Sequence, residues 1–253
     1  MRRLRLLLCA LPLLLAGAGA ARAAEVHIVF GASLAPFADD KTGRGIEIDI
    51  IRAALQAAGH GMRLSFVPQA RVPLSLQAGQ CDGAATITPD SGVPAAYSEV
   101  YIHYQDYLIA PKGRFERAPT MAELGRLRIV GFQKASSYLG PAFAEMARSN
   151  PRYREMADQL SQVRMLFSGQ ADAIVAERRI FDHQLAQLRA STRFRETPVE
   201  VDFFPLFERI PYRVGFRSAA LRDEFNTGLA RIRGDGTLAR IEASYQPRLR
   251  LEP

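Results

Sequence analysis

Short apolar runs alternate with helically spaced segments from about residue 25 onward. Residues 26–30 and 63–67 have the length and apolar content of strands, and each is followed by Gly or Pro. Between them, apolar residues recur at helical spacing over residues 46–58, and Gly59 closes that segment. A chain with this alternation packs helices against a sheet. The pattern therefore predicts an α/β fold with a parallel sheet covered by helices.

The alternation continues along the chain and predicts two structural units. The first unit adds a helix over residues 74–77 and a strand over residues 83–87, and a second unit begins after residues 110–113. Further strands are predicted at residues 127–132, 173–175 and 212–216, and further helices at residues 138–146, 156–167, 180–188 and 221–232, with a last helix through Leu238 and Tyr245.

The N-terminal segment has the three parts of a secretory leader. Three arginines stand within the first five residues, residues 6–15 are apolar apart from Pro12, and Ala21-Arg22-Ala23 has the pattern of a cleavage site. The apolar stretch is shorter than a bilayer-spanning helix requires. We therefore predict that residues 1–24 are a signal peptide and that the protein is secreted.

The composition indicates a packed protein that does not bind nucleic acid. Hydrophobic residues make up 48% of the chain, enough for sizeable cores. The predicted leader holds four of the 33 Lys and Arg residues, so 29 remain against 26 acidic residues and the net charge falls from +7 to +3. The arginines are dispersed, without the basic stripe that nucleic-acid binding requires. After leader removal Cys81 is the single cysteine, so no internal disulfide can form, and we expect a buried thiol.

Seven short motifs follow one another in a fixed order along the predicted mature chain. They are Ala35-Pro36-Phe37, Gly45-Ile46-Glu47-Ile48-Asp49, Leu76-Gln77-Ala78-Gly79-Gln80-Cys81-Asp82, Thr86-Ile87-Thr88-Pro89, Tyr97-Ser98-Glu99, Ser136-Ser137 and Ala171-Asp172-Ala173-Ile174-Val175-Ala176-Glu177. Their order and spacing, over residues 26 to 245, resemble family 3 of the bacterial extracellular solute-binding proteins.

This resemblance implies a two-lobed periplasmic binding protein fold of type II, with Rossmann-like lobes joined by a two-stranded hinge. Residues 25–104 together with residues 211–253 would form lobe one, and residues 105–210 would form lobe two. The resemblance also implies a monomeric periplasmic receptor that captures a small polar ligand and delivers it to an ABC permease of the inner membrane. No cofactor and no metal are implied.

Four candidate ligand-binding residues follow from strand ends, helix starts and the resemblance. Thr86 ends a predicted strand at the carboxyl edge, where open α/β sheets bind ligands, and we expect its hydroxyl to face the ligand. Ser137 lies at the start of a predicted helix, where free N–H groups favour anions. By resemblance, Leu34 replaces an aromatic residue that stacks on the ligand, and Glu177 stands for the acid that pairs with a ligand ammonium.

One position departs from the pattern that the resemblance sets. Amino-acid-binding members of the family carry an arginine where this chain has Ser91, and that arginine clamps the α-carboxylate of the ligand. A neutral hydroxyl cannot replace a bidentate guanidinium. Arg71 is the candidate replacement cation, with a plain surface position as the favoured alternative. We therefore expect an amine-bearing ligand without an α-carboxylate, or one whose anion is held by Arg71 or by backbone N–H groups.

The sequence predicts a binding protein rather than an enzyme. The four histidines are scattered without metal spacing, and Glu47 and Asp49 fit local capping of the first helix. Two alternatives stay open. Cyclohexadienyl and arogenate dehydratases resemble this fold, and a sensory ligand-binding protein would act by docking onto a separate partner.

The leader yields a direct prediction about the mature protein. Mass spectrometry of a periplasmic extract should find an N-terminus near Ala24 or Glu25, because signal peptidase cleaves after the small-x-small pattern. A chain that keeps Met1 in a membrane fraction would contradict the prediction.

Overall fold

The computed structural model of the protein describes residues 25–190 and 200–245, and the predicted leader at residues 1–24 lies outside them. Strands and helices alternate through both described ranges. The strands are β1 Glu25–Gly31, β2 Gly61–Val67, β3 Gly83–Ile87, β4 Ala96–Tyr97, β5 Ile102–Tyr104, β6 Asp106–Pro111, β7 Ile129–Phe132, β8 Arg154–Met156, β9 Ala173–Glu177, β10 Val201–Phe204 and β11 Ile210–Phe216. The helices are α1 Ile46–Ala57, α2 Val72–Gln77, α3 Met121–Leu124, α4 Ala135–Tyr138, α5 Pro141–Ser149, α6 Gln159–Phe167, α7 Arg178–Ala190, α8 Ala219–Gly234 and α9 Thr237–Ser244.

The first sheet contains strands from both the early and the late parts of the described chain. Its strand order is β2-β1-β3-β11-β4, and β5 pairs with the start of β11. Helix α1 buries the apolar face that its spacing predicts, including Ile50, Ile51 and Leu55, against the same core that receives Phe225 and Leu229 of α8. The late helices therefore complete the lobe that the early strands begin.

The second sheet lies between residues 106 and 204 and has the order β10-β6-β9-β7-β8. Strands β8, β7 and β9 are parallel, whereas β6 runs antiparallel to β9, and β10 antiparallel to β6. The first sheet is also mixed, because β11 runs antiparallel to β3. Strands β1, β2 and β3, on which the predicted parallel sheet rests, are parallel, so the prediction is confirmed for them. It is wrong for β6, β10 and β11, which run antiparallel to their neighbours. Parallel neighbours need a crossover connection, and β6 and β11 instead enter their sheets directly from the junction between the lobes.

Two paired strands connect the lobes. Tyr104 pairs with Ile210, His103 with Pro211 and Ile102 with Tyr212, all antiparallel. Immediately after β5, the chain enters the second sheet as β6. The predicted two-lobed α/β fold with a two-stranded hinge is confirmed. The exact division at residues 104 and 210 stays a prediction.

Two helix predictions need correction at their boundaries. The helix predicted over residues 138–146 is two helices, because Gly140 is left-handed with φ 87° and Pro141 begins α5 at its N1 position. The helix predicted over residues 156–167 starts only at Gln159, because residues 154–156 pair with β7 and Asp158 caps α6. The Asp158 carboxylate accepts hydrogen bonds from the N–H groups of residues 160 and 161.

Helices α1 and α8 approach closely at Gly228. A Cβ at this position would lie 1.9 Å from the carbonyl oxygen of Ala54, whereas a Cβ at Gly234 in the same helix would meet nothing within 4 Å. We expect Gly228→Ala to lower the free energy of unfolding by about 1–3 kcal/mol, because the backbone of α1 must shift. Gly234→Ala, the matched control, should change it by less than about 1 kcal/mol, in the stabilising direction.

Urea unfolding, monitored by circular dichroism, measures the free energy of unfolding of both variants. This probe suits a chain without tryptophan. Equal stability of the two variants would contradict the close helix approach.

Candidate functional site

A buried pocket lies between the two lobes, and we call it the inner pocket. Lobe one, lobe two and the hinge strands all contribute to its walls. The volume that the centre of a water molecule can occupy inside the pocket is about 20 Å³, which is room for about one water. The lining residues are Leu34, Gln69, Thr86, Tyr104, Asp106, Phe132, Tyr138, Gln159, Glu177, Ile180 and Tyr212.

Direct contacts between the lobes close this pocket. Gln159 of α6 donates its backbone N–H to Ser33 Oγ at 3.2 Å and its Nε2 to the Ser33 carbonyl at 3.3 Å. The Ala70 N–H donates to Gln133 Oε1 at 3.0 Å, and the Arg179 guanidinium stacks over Phe37, 4.3 Å from the ring centroid. A ligand can therefore enter only when the lobes separate about the hinge.

Two carboxyl groups stand side by side on the floor of the inner pocket. Asp106 of β6 and Glu177 of β9 are direct partners in the antiparallel register, and both are buried. Burial, followed by the nearby Glu177 charge, raises the pKa of Asp106 to about 8. Burial also raises the pKa of Glu177, and the nearby Arg179 opposes that shift. Burial in this closed structure therefore favours the protonated form of Asp106 at neutral pH.

The two carboxyl groups differ in their hydrogen bonds. Glu177 Oε2 accepts from the N–H groups of Arg179 at 2.6 Å and Ile180 at 3.1 Å, which caps the start of α7. Arg179 Nε lies 3.5 Å from the other oxygen, Oε1. Asp106 Oδ2, in contrast, has no hydrogen-bond partner in the described structure. The less satisfied group is therefore Asp106.

Unpaired polar atoms concentrate in the inner pocket. Six buried side-chain oxygens or nitrogens of the described residues lack a partner, and four of them belong to inner-pocket residues. Buried polar groups are normally paired, so this concentration marks a ligand site. Three of the four atoms are hydrogen-bond acceptors: the two glutamine amide oxygens at any pH, and the Asp106 oxygen when the carboxyl group is ionised. The four atoms are Asp106 Oδ2, Gln69 Oε1, Gln159 Oε1 and Tyr104 Oη.

A hydrogen-bond network behind the pocket holds Thr86 in a strained conformation. Thr86 has φ 55°, which β-branched residues rarely adopt. Its N–H donates to Tyr101 Oη at 3.1 Å, its carbonyl accepts from Gln69 Nε2 at 3.1 Å, and its hydroxyl donates to Glu47 Oε2 at 2.7 Å. Because the Thr86 hydroxyl donates its hydrogen bond to Glu47, it would act toward a ligand as an acceptor. Its contact with the ligand stays a prediction.

Glu47 is part of this network rather than a local helix cap. It is fully buried, and Tyr101 Oη donates to its second oxygen at 3.0 Å. Burial raises its pKa to about 7, against the hydrogen bonds from Thr86 and Tyr101. The capping prediction for Glu47 is wrong because the helix start packs into the sheet. Asp49 instead pairs with Arg52 at 2.7 Å and accepts from Tyr245 Oη at 2.6 Å.

The predicted ligand residues divide between two spaces. Leu34, Thr86 and Glu177 line the inner pocket. Ser91 and Ser137 line a neighbouring outer cavity of about 250 Å³, together with Lys134, and the Gln69 and Tyr138 side chains separate the two spaces. Arg71 is exposed and lines neither space. It is therefore not placed to clamp a ligand anion in the inner pocket of this closed form.

Sequence reasoning missed the residues that line the hinge side of the inner pocket. Tyr104, Asp106 and Tyr212 come from β5, β6 and β11, at the two crossings between lobes. An acidic residue directly before the apolar strand at residues 107–110 was the available signal for Asp106. Cys81, as predicted, is a buried free thiol, and burial raises its pKa to about 11.

Neither a metal-ion site nor a membrane-spanning helix is found among the described residues. No group of three or more His, Cys, Asp or Glu side chains there could hold a metal ion. Within residues 25–190 and 200–245, no helix has the length and apolar character of a membrane span.

A comparison with family models finds one match over most of the chain. The model for bacterial extracellular solute-binding proteins, family 3, matches residues 26–248. No curated protein matches the sequence.

Solved structures of similar fold are distant in sequence. A histidine kinase sensor domain with similarity to periplasmic binding proteins has a TM-score of 0.74 at 14% identity, covering 89% of this chain and 97% of its own. An ancestral arginine-binding protein bound to arginine has a TM-score of 0.71 at 19% identity, covering 88% and 98%. An ancestral amino acid-binding protein described as a precursor of cyclohexadienyl dehydratase has a TM-score of 0.67 at 20% identity, covering 88% and 96%. At these identities the comparisons show the shared fold.

The buried carboxyl groups predict how stability depends on pH. Asp106 ionises near its ordinary pKa in the unfolded chain but only near pH 8 when folded. Between these values the folded state keeps a proton that the unfolded state releases. The stability that this proton contributes is therefore fully present below the ordinary pKa of an aspartate. It falls by up to about 1.4 kcal/mol per pH unit as pH rises, and it is lost once pH passes about 8.

Asp106→Asn should remove this dependence. Relative to the unmodified protein, the variant should become progressively more stable from pH 5 to pH 8 in urea unfolding. Asp223→Asn, which changes an exposed carboxyl paired with Arg222, is the matched control. Parallel pH profiles for Asp106→Asn and the unmodified protein would contradict the assignment.

Proposed function

The chain belongs to family 3 of the bacterial extracellular solute-binding proteins, and we propose that its ligand is a small organic cation without a carboxylate. Solute binding follows from the family, and the ligand class follows from the inner pocket. The observation that carries the proposal is the concentration of unpaired acceptors and carboxyl groups on the pocket walls.

The charge of the inner pocket favours an ammonium group over a carboxylate. Asp106 and Glu177 provide two acidic side chains, whereas none of the described residues that line the pocket is Lys or Arg. The α-carboxylate of an amino acid would be buried without a cationic partner, beside two acidic side chains. An ammonium group would instead supply the hydrogen-bond donors that the unpaired acceptors lack.

Aromatic side chains support the same ligand class. Tyr104, Tyr138, Tyr212 and Phe132 line the inner pocket, and Tyr212 packs edge-on against Tyr104 at 4.9 Å and against Tyr138 at 5.9 Å. Aromatic faces attract cations through the ring quadrupole. The pocket therefore combines fixed acceptors with surfaces that stabilise positive charge.

Hinge closure is the proposed mechanism of capture. Each lobe offers part of the site, so contacts from both lobes favour the closed form when ligand is bound. We infer a periplasmic location after removal of residues 1–24 and delivery of the ligand to an ABC permease, as the family assignment favours. We also infer a monomeric protein without a cofactor.

An enzymatic alternative draws on the protonated Asp106. A carboxyl group that keeps its proton near neutral pH can act as a general acid, as a dehydratase would require. Prephenate and arogenate carry carboxylates, however, and the described pocket walls offer them no Lys or Arg. Binding is therefore the better-supported function, and turnover of either compound by pure protein would favour the enzyme.

Pairs of amines and amino acids that differ only by the carboxylate test the ligand class. We compare alanine with ethylamine, ornithine with putrescine, and arginine with agmatine by calorimetry. The amine of a pair should bind more tightly, because an unpaired buried carboxylate costs about 2–5 kcal/mol, which is roughly 30-fold to several-thousand-fold in affinity. Tighter binding of the amino acids would show that another group, Arg71 included, clamps the carboxylate.

Glu177 should be essential for binding the amine. We expect Glu177→Gln to weaken binding at least tenfold, because one acidic partner of the ammonium is lost from a desolvated site. Glu200→Gln removes an exposed carboxyl that pairs with Lys112 outside the inner pocket, and should leave affinity unchanged. Thermal unfolding of both variants checks that each is folded. Unchanged affinity in Glu177→Gln would place the ligand elsewhere.

A further inference from the structure

Of the two carboxyl groups in the described pocket, Asp106 has fewer hydrogen-bond partners than Glu177. Two backbone N–H groups and Arg179 already contact the Glu177 carboxyl, whereas Asp106 Oδ2 has no partner. The hinge also fixes the position of the Asp106 backbone. Gln105 Nε2 donates to the Asp106 carbonyl at 3.1 Å and to the Phe207 carbonyl at 2.8 Å, which ties both crossings together at this point.

The groups that face Asp106 leave it without a permanent cation. Glu177 lies beside it on β9, and Tyr212 faces it from β11. Tyr104 contributes a phenol from β5 that lies near Glu47 as well as in the pocket wall. Arg179, the second residue of α7, interacts with Glu177. No cationic side chain therefore pairs with Asp106 in the described structure, and burial favours its neutral, protonated form.

We infer that Asp106 is the specificity-determining residue of the site, and that it exchanges its proton for an N–H-donating ammonium group of the ligand. This inference rests on the proposed function and names the ligand more closely, as a primary or secondary amine. The proton on Asp106 leaves to solvent, and the ligand brings one positive charge. The net charge buried in the pocket therefore stays unchanged, so the exchange avoids burying an uncompensated ion.

Three unpaired acceptors explain why N–H groups matter beyond charge. Asp106 Oδ2, Gln69 Oε1 and Gln159 Oε1 can each accept one hydrogen bond, and the amide orientations follow from the bonds that their Nε2 atoms donate. A quaternary ammonium carries the same charge but has no N–H to donate. Its ammonium group would donate to none of the three atoms in the closed form.

Graded methylation of one amine tests the requirement for N–H donors. Ethanolamine, dimethylethanolamine and choline keep the positive charge and lose N–H groups stepwise. Calorimetry at pH 7 in phosphate and in Tris gives the affinity and the number of protons released. The unmodified protein should bind ethanolamine at least tenfold more tightly than choline, and should release about one proton per ligand.

The pH dependence of ethanolamine binding tests the role of Asp106. Affinity of the unmodified protein should rise about tenfold per pH unit from pH 6 toward pH 8. Asp106→Asn should bind at least tenfold more weakly at pH 8, with a much smaller pH dependence and little proton release. Asp223→Asn should match the unmodified protein in every measurement, because its carboxyl is exposed and lies outside the pocket.

Each outcome separates this inference from the proposed function. Binding of these cations without proton release, or unchanged binding by Asp106→Asn, would overturn the role of Asp106 and leave a cation receptor. Choline binding as tightly as ethanolamine would overturn the N–H requirement alone. Binding of amino acids in place of every amine tested would overturn both. Should Asp106→Asn fail to fold, the proton count and pH slope of the unmodified protein decide the question.

Discussion

The antiparallel pairing of β5 with β11 is the constraint on which the site depends. It joins residues 102–104 to residues 210–212 and carries the chain into and out of lobe two. Because Asp106 follows two residues after this ladder, its position is set by the hinge as well as by β9. Tyr104 and Tyr212 lie on the same pair of strands. The hinge therefore positions Tyr104, Asp106 and Tyr212, whereas the second sheet holds Glu177 beside Asp106.

Burial of acidic groups without a permanent cation gives the pocket its chemistry. Transferring an ionised carboxylate into a closed pocket is costly, so burial raises the pKa and a proton neutralises the group. Asp106 and Glu47 both follow this rule, with pKa values of about 8 and about 7. They differ in their partners. Glu47 is hydrogen-bonded within the protein and holds Thr86, whereas Asp106 leaves one oxygen free for a ligand.

The local elements were predictable because their signals are local. The apolar spacing of residues 46–58 predicted α1, and the run at residues 83–87 predicted β3, to within a residue or two. Ordered motifs led to the family and to the two-lobed fold. The errors lie at junctions, such as the interruption by Gly140 and Pro141 between α4 and α5. There, a left-handed glycine and a helix-starting proline outweigh the apolar periodicity around them.

The sequence by itself determined most of the elements and the family, and it predicts that Ser91 stands in place of a carboxylate-clamping arginine and that Glu177 is the acid of the site. Only the tertiary structure decided which side chains share the pocket. It placed Asp106 beside Glu177 across two antiparallel strands some 70 residues apart in the chain, moved Ser91 and Ser137 into the outer cavity, and left Arg71 exposed. The physical reason is that pairing, burial and desolvation are non-local. A carboxyl group acquires its pKa and its missing partner from whatever the fold brings beside it.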